Sequence, residues 1–264
     1  MTSRIQNTIL RSPPLSVASI HPQTEIGVRP YATFTGYLPR RLTRKSPIER
    51  IGNNINSGIE SEIVPRNLRV EALLDAVPAE AKVLDLGCVQ HSAEKASNED
   101  WVHGELYDIA DEVVGVDYER REVKKLREQG YNVVHGDVEE LDLDDTFDVV
   151  VAGELIEHLS NVGNFLDSVR DHLRPEGEFI MTTPNPWAFH RFKQAAFGEV
   201  YSNEEHTCWF DERTLTQVLD RHEFEVNEVI QVKASDPGIT RLLYDVGLRT
   251  IGGTSLLVKA RVAR

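Results

Sequence analysis

The chain has 264 residues, 43 of them acidic and 29 basic, for a formal net charge of −14. That length suits one large α/β domain, or one domain with an arm, and a hydrophobic content of 40% excludes a wholly disordered chain. Apolar runs such as FDVVVAG are far too short to span a membrane, and two cysteines, Cys88 and Cys208, exclude a disulfide-rich scaffold and a four-cysteine zinc ribbon.

The charge is unevenly placed. Residues 1–50 carry eight Lys/Arg and two Asp/Glu, and the remainder of the chain carries 21 and 41. So acidic a body repels phosphate, which excludes general binding of nucleic acid. There are eight lysines against 21 arginines; much acid with little lysine is expected of a halophilic protein, where salt screens self-repulsion, and also fits an ordinary acidic cytosolic protein. In the first 50 residues Pro13, Pro14, Pro22, Pro30, Pro39 and Pro47 interrupt any long helix. We read 1–50 as a basic, poorly ordered arm and 51–264 as the domain. No apolar segment follows Arg4 as a secretory signal would require, so a cytoplasmic location is expected. The basic string PRRLTRKSPIER (39–50) would contact the acidic body, a partner or the inner face of a membrane, or stand as a solvated tail.

From Pro65 onward, hydrophobic periodicity switches between helical and strand-like. Helix is expected over 66–77, strand over 82–88, helix over 100–110, strand over 112–118, and a charged helix over 119–130 stopped by Gly130. Strands follow at 131–137 and 147–153, then a helix at 161–173 stopped by RPEG (174–177), and a strand at 178–186. PWAFHRFKQAAFGEVY (186–201) reads as a helical lid rich in aromatics. A helix at 211–224 and strands at 224–232 and 255–263 complete the chain. Strands alternating with helices imply a parallel sheet covered on both faces, and ligands of such sheets bind beyond the carboxyl ends of the strands.

Those ends carry a consistent set. Asp85, Gly87 and Cys88 follow the first strand. Asp117, with Tyr118, follows the second, where an acid can accept hydrogen bonds from ribose hydroxyls. Gly136, Asp137 and Val138 follow the third, and offer an acid and an apolar face to a purine. Glu154, Glu157 and His158 follow the fourth, and Thr183-Pro184-Asn185-Pro186 ends the fifth.

At VLDLGC, VVGVDY, HGDVEEL, FDVVVAGELIEHL, LRPEGEFIMTTPNP and EHTCWFDERTLTQVLDRHEFEV the chain resembles the class I, Rossmann-like S-adenosylmethionine-dependent methyltransferases, in particular the sugar and small-molecule O-methyltransferase branch. The resemblance covers about 66–264. It implies a mostly parallel seven-stranded sheet with the last strand antiparallel. It also implies S-adenosylmethionine as cofactor. The backbone around Asp85, Gly87 and Cys88 would line the methionine part, and Asp117 would hold the ribose. Tyr118, Gly136, Asp137 and Val138 would meet the adenine, with Glu154 near the methyl donor. One departure is plain: the family usually continues GCGxG, and here Gly87-Cys88 is followed by Val89-Gln90-His91 and an irregular insertion. Either the loop has another shape that admits the cofactor, or cofactor binding is lost. The same missing glycines count against a nicotinamide dehydrogenase.

Methyl transfer to oxygen needs a base or a metal. Glu154, Glu157 and His158 stand at i, i+3 and i+4 and would share a helical face; His158 is then a natural base, and the three could hold a divalent metal, as a similar E-x-x-E-H string does in some quinone methyltransferases. The alternative is that Glu157 and His158 pin the turn. His206 is the second candidate base. Asn185, Trp187, His190 and Arg191 would bind the acceptor, and the local positive charge favours an acidic one. The first reading is an O-methyltransferase acting on a small molecule or glycan, narrowed to a hexuronic acid of a lipid-linked glycan. The second is a metal-assisted quinone-type enzyme. The third is a non-catalytic nucleoside-binding module.

Overall fold

The computed structural model describes residues 67–90, 100–198, 202–235 and 238–264. The arm assigned to 1–50, its basic cluster and most of the insertion after Gln90 lie outside them. In chain order the elements are α1 (Leu68–Ala76), β1 (Lys82–Leu86), α2 (Val102–Ile109), β2 (Glu112–Asp117), α3 (Arg120–Glu128), β3 (Val133–His135) and β4 (Phe147–Gly153), then α4 (Val162–His172), β5 (Leu173–Pro184), α5 (Phe189–Ala196), α6 (Glu212–Arg221), β6 (Phe224–Lys233), α7 (Ile239–Asp245), α8 (Arg249–Gly252) and β7 (Gly253–Val262). Short 3-10 turns cover Val138–Glu140 and Ile156–His158.

The strands form one seven-stranded sheet in the order β3-β2-β1-β4-β5-β7-β6. β1, β2, β3, β4 and β5 pair in parallel, and β7 runs antiparallel between β5 and β6. Period-two alternation distributes the apolar residues between two layers. Leu84, Leu86, Val150, Phe179 and Met181 pack on Phe165 and Val169 of α4 and Leu215 and Leu219 of α6. Val83, Val149, Val151 and Ile180 face Val70, Leu73 and Leu74 of α1 and Leu106 of α2. Asp85, between Leu84 and Leu86, therefore points toward the α1/α2 layer.

The helices begin where side chains satisfy their first amides. Asn67 caps α1 and Asn161 caps α4; Asp211 and Thr214 form a reciprocal capping box on α6. Gly130, at φ +97°, ends α3 as expected. Register levels the strand ends: Leu86 lies opposite Val116 and Ala152, Asp117 opposite His135, and Gly153 opposite Thr182. The residues that follow them consequently share one rim, beside the point where the strand order reverses between β1 and β4.

Several boundaries differ from the sequence expectation. The strand placed at 131–137 contracts to Val133–His135. RPEG falls within β5 as an irregularity, since Phe147 pairs with Leu173 but Val149 with Glu178, and Glu176 adopts φ +67°. The lid helix spans Phe189–Ala196 and buries none of its residues, so Phe189 and Phe192 are not core packing; residues 199–201 of the lid lie outside the described residues. α7 and α8, between β6 and β7, were not anticipated.

Beneath the rim, aromatic rings occupy the space between α2 and β2. Trp101 and Tyr131 meet edge to face at 4.8 Å, and His103 lies 5.4 Å from both Trp101 and Tyr107. Gly115 of β2 makes room for them: a Cβ there would sit 2.5 Å from His103 Cε1, 2.7 Å from Cys88 Sγ and 2.9 Å from Val133 Cγ1. We expect Gly115→Ala to destabilise the fold by about 1–3 kcal/mol through overpacking, read as a lowered urea midpoint with unchanged m-value.

Candidate active site

The loop after β1 is tied to the end of β2 through backbone and side chain together. Gly87, at φ +76°, and Cys88 both donate their amides to Val116 O, at 2.9 and 3.3 Å. Asp117 accepts from Val89 N at 3.0 Å through Oδ2 and from Glu119 N at 2.9 Å through Oδ1. A carboxylate has about four lone-pair sites, so these two bonds leave acceptor capacity. Burial raises the Asp117 pKa, and its two backbone donors oppose the rise. The amide of Gly136 joins the end of β3 to Asp117 O at 3.1 Å. Asp137 caps the Val138 turn by accepting from Glu139 N, which tucks Val138 into the core. Tyr118 stands 69% exposed on this rim. The Cys88 thiol is buried and pushed well above its ordinary range by that burial, so it is not available to a ligand.

These residues fit a nucleoside-bearing cofactor. An acid at the end of β2, an exposed aromatic beside it and an exposed acid after β3 lie on one edge. At Gly87 a Cβ would come 3.1 Å from Leu155 Cδ1 in a left-handed conformation, which marks a close backbone approach.

The second cluster follows β4. Glu154 takes φ +53° and donates its amide to Thr182 O at 2.9 Å. This kink and the 3-10 turn after it break helical periodicity, so Glu154, Glu157 and His158 do not share one helical face. Glu154 turns instead to Arg69 Nε at 3.9 Å; burial raises its pKa, opposed by Arg69, Ser255 and Arg191. Glu157 is 1% exposed. Its Oε2 accepts from Thr183 Oγ1 at 3.0 Å, and its Oε1 is buried without a hydrogen bond. Burial, then the charge of Glu154, pushes the Glu157 carboxyl up to about 8.

His206 takes the place expected of Glu154. Glu157, His158 and His206 bring ligand atoms within 4.8 Å of one another, and the two imidazoles meet edge to face at 4.7 Å. The segment bearing His206 is held there because Thr207 N and Cys208 N donate to Glu157 O at 2.8 and 3.3 Å. His206 Nδ1 is buried without a hydrogen bond, and burial, His158 and Arg191 hold this imidazole below its usual pKa. It is therefore neutral at pH 7, as a base or ligand must be. His206 packs on Trp209 at 5.3 Å, and the Arg191 guanidinium lies 4.2 Å over the Trp209 ring.

The acceptor candidates separate. Arg191 of α5 joins the cluster, and its neighbour His190 is half-buried. Trp187 is 58% exposed, with Nε1 donating to Asp211 Oδ2 at 3.2 Å. Asn185 is spent internally: Nδ2 donates to Thr250 O at 2.7 Å, Gly253 O at 2.8 Å and Gln231 Oε1 at 3.3 Å, and Oδ1 accepts from Trp187 N. It clasps β5 to α8 and β7, with no donor left for an acceptor molecule. Sequence reasoning missed Arg69, which a helix pattern does not distinguish from any solvated arginine, and Thr183, read only as part of a strand end.

Glu157 sets a pH test. Its folded pKa, about 8, exceeds the ordinary 4.5, so its contribution to stability is complete below pH 4.5 and is lost as pH rises through 8. Stability should fall between pH 5 and 8.5 in the wild type and much less in Glu157→Gln, which keeps an acceptor for Thr183; urea denaturation across that range reads the difference.

Comparison with known proteins gives the same assignment from another direction. Residues 62–229 match a family model described as a methyltransferase domain. A Mycolicibacterium smegmatis protein named a probable S-adenosylmethionine-dependent methyltransferase is 32% identical over 130 residues, 48% of this chain and 49% of the relative. A Rickettsia conorii ubiquinone biosynthesis O-methyltransferase is 41% identical over 54 residues, 20% of this chain and 19% of the relative. The chain thus spans about half the length of the first of these curated relatives and about a fifth of the second. Among solved structures, an S-adenosylmethionine-dependent methyltransferase from Mesorhizobium loti shares the fold with a TM-score of 0.51 at 20% identity, covering 74% of this chain and 97% of its own. With its sheet order, its rim and a family match over most of its length, the chain belongs to the class I S-adenosylmethionine-dependent methyltransferases.

Proposed function

We propose that this chain transfers the methyl group of S-adenosylmethionine to an oxygen acceptor held between α5 and the turn after β4. The observation that carries the reading is the neutral, unpaired His206 Nδ1 beside His158 and the buried Glu157. The cofactor supplies an activated methyl group when bound. This chain's residues bind and orient: Asp117 would hold the ribose, Tyr118 and Asp137 the adenine, and Arg69, near Glu154, stands where it could meet the methionine carboxylate. His206 or His158 would remove the acceptor proton. Trp187 offers a flat apolar face, and Arg191, stacked on Trp209, a cation, which supports a sugar acceptor bearing a carboxylate, such as a hexuronic acid of a glycan. Lipid linkage of that glycan would give the basic segment 39–50, outside the described residues, a role at an anionic membrane. Among the described residues no helix is long and apolar enough to cross one.

A second reading has its own support. Glu157, His158 and His206 offer one oxygen and two imidazole nitrogens within 4.8 Å, a donor set suited to a divalent transition metal, and the partial match to a ubiquinone biosynthesis O-methyltransferase points toward quinone-type chemistry. Retention of a full complement of metal-free activity after EDTA treatment, with no Mn²⁺ spectrum perturbed by His206→Ala, would remove it.

Calorimetric titration with S-adenosylhomocysteine, in low salt and in multimolar KCl, tests the first reading. We expect micromolar binding, weakened by about 1–3 kcal/mol in Asp117→Ala. Absence of binding in both salts by a folded chain would leave a non-catalytic module. His206→Ala should slow turnover of a uronic acid acceptor by about 10²–10⁴-fold while leaving S-adenosylhomocysteine affinity unchanged.

A further inference from the structure

The loop between β1 and α2 lacks the glycines its family uses there, and the structure contains a built replacement. Two rings reach back from the start of α2. The Trp101 indole N–H donates to Cys88 O at 2.7 Å, and His103 Nδ1 lies 2.9 Å from Asp85 Oδ2. All four residues are buried: Trp101 is 1% exposed, Cys88 2%, Asp85 3% and His103 0%. Two glycines make the space. A Cβ on Gly104 would fall 2.5 Å from Trp101 Cε3, and one on Gly115 the same distance from His103 Cε1. From the other side, Val116 O and Asp117 Oδ2 take the amides of Gly87, Cys88 and Val89. The peptide groups at 87–89 are thus fixed from both sides.

We infer that Trp101 and His103 are positioning residues for the cofactor: they lock the 85–89 backbone in the conformation that a glycine-rich turn supplies elsewhere in the family. Glycines permit a close approach by omitting side chains; here the chain packs its side chains, Cys88 and Val89, inward with Trp101. His103 Nδ1 meets Asp85 Oδ2 and its Nε2 is buried without a hydrogen bond, so the ring is committed to a single polar contact and held by packing. This rests on the cofactor reading above.

The test is S-adenosylhomocysteine affinity by calorimetry on the full chain. His103→Ala should raise Kd by about tenfold and Trp101→Phe, which keeps a ring but loses the N–H, by about fivefold. His103→Asn, whose amide can donate from nearly the Nδ1 position, should recover most of the loss. Tyr107→Phe is the control for a purely structural role: it keeps its ring beside His103 but loses the 2.7 Å bond from Asn132 N, so it should lower the urea midpoint without moving Kd. The indole N–H resonance of Trp101 should shift on titration. Wild-type binding with unchanged Kd in both Trp101→Phe and His103→Ala, or a Kd in Tyr107→Phe that moves as far as in Trp101→Phe, would overturn the inference. A wild-type chain that fails to bind would overturn the cofactor reading, and this inference with it.

Discussion

The ends of β1, β2 and β3 are joined through one carboxylate residue. Asp117 accepts an amide from the loop after β1 and another from the start of α3, and its backbone carbonyl receives Gly136 from the end of β3. Three strand ends are thereby held in one register by a residue whose own charge is disfavoured by burial. A buried carboxylate persists where its hydrogen bonds offset desolvation. The same two bonds leave part of its acceptor capacity unused, and under the proposed function the group that organises the loop would also meet a ribose.

The second cluster works by the opposite balance. Glu154 and Glu157 share a small volume, and burial favours their protonated forms, while Arg69 and Arg191 approach from two separate helices. Burial pushes the Glu157 carboxyl up to about 8 and holds the His206 imidazole below its usual pKa. Placement follows from the chain: Glu157 offers its backbone oxygen to Thr207 and Cys208, which fixes His206 against His158. The 3-10 turn and the segment 206–209 therefore form one structural unit, although about fifty residues separate them.

The sheet and most of its helices were legible because period-two and period-3.6 patterns depend on burial, and the central strands are buried on both faces. The placement of Asp117, Tyr118, Gly136 and Asp137 on one rim was legible because strand ends of parallel sheets converge by topology alone. Local geometry was not. The helical-face argument for Glu154, Glu157 and His158 failed because Glu154 adopts a left-handed conformation, which no spacing rule reveals for a glutamate. Asn185 was legible as rigid but not as saturated, since its partners Thr250, Gly253 and Gln231 come from a distant part of the chain. Trp101 and His103 were read only as points on an amphipathic helix; the signal that could have found them is the pair of glycines, Gly104 and Gly115, placed where helix and strand would ordinarily prefer side chains.

The Asn185 clasp also sets where motion is cheap. It nails the end of β5 to α8 and β7, whereas α5, which starts a few residues later, buries none of its side chains fully. Little apolar surface is exposed when that helix detaches, so the free energy of its opening lies near the low end of the local-unfolding scale. The boundary between a frozen floor and a loose cover falls between Asn185 and Phe189. Under the proposed function, exchange of an acceptor molecule would then need only the opening of one short helix, at a rate independent of the global stability of the sheet beneath it.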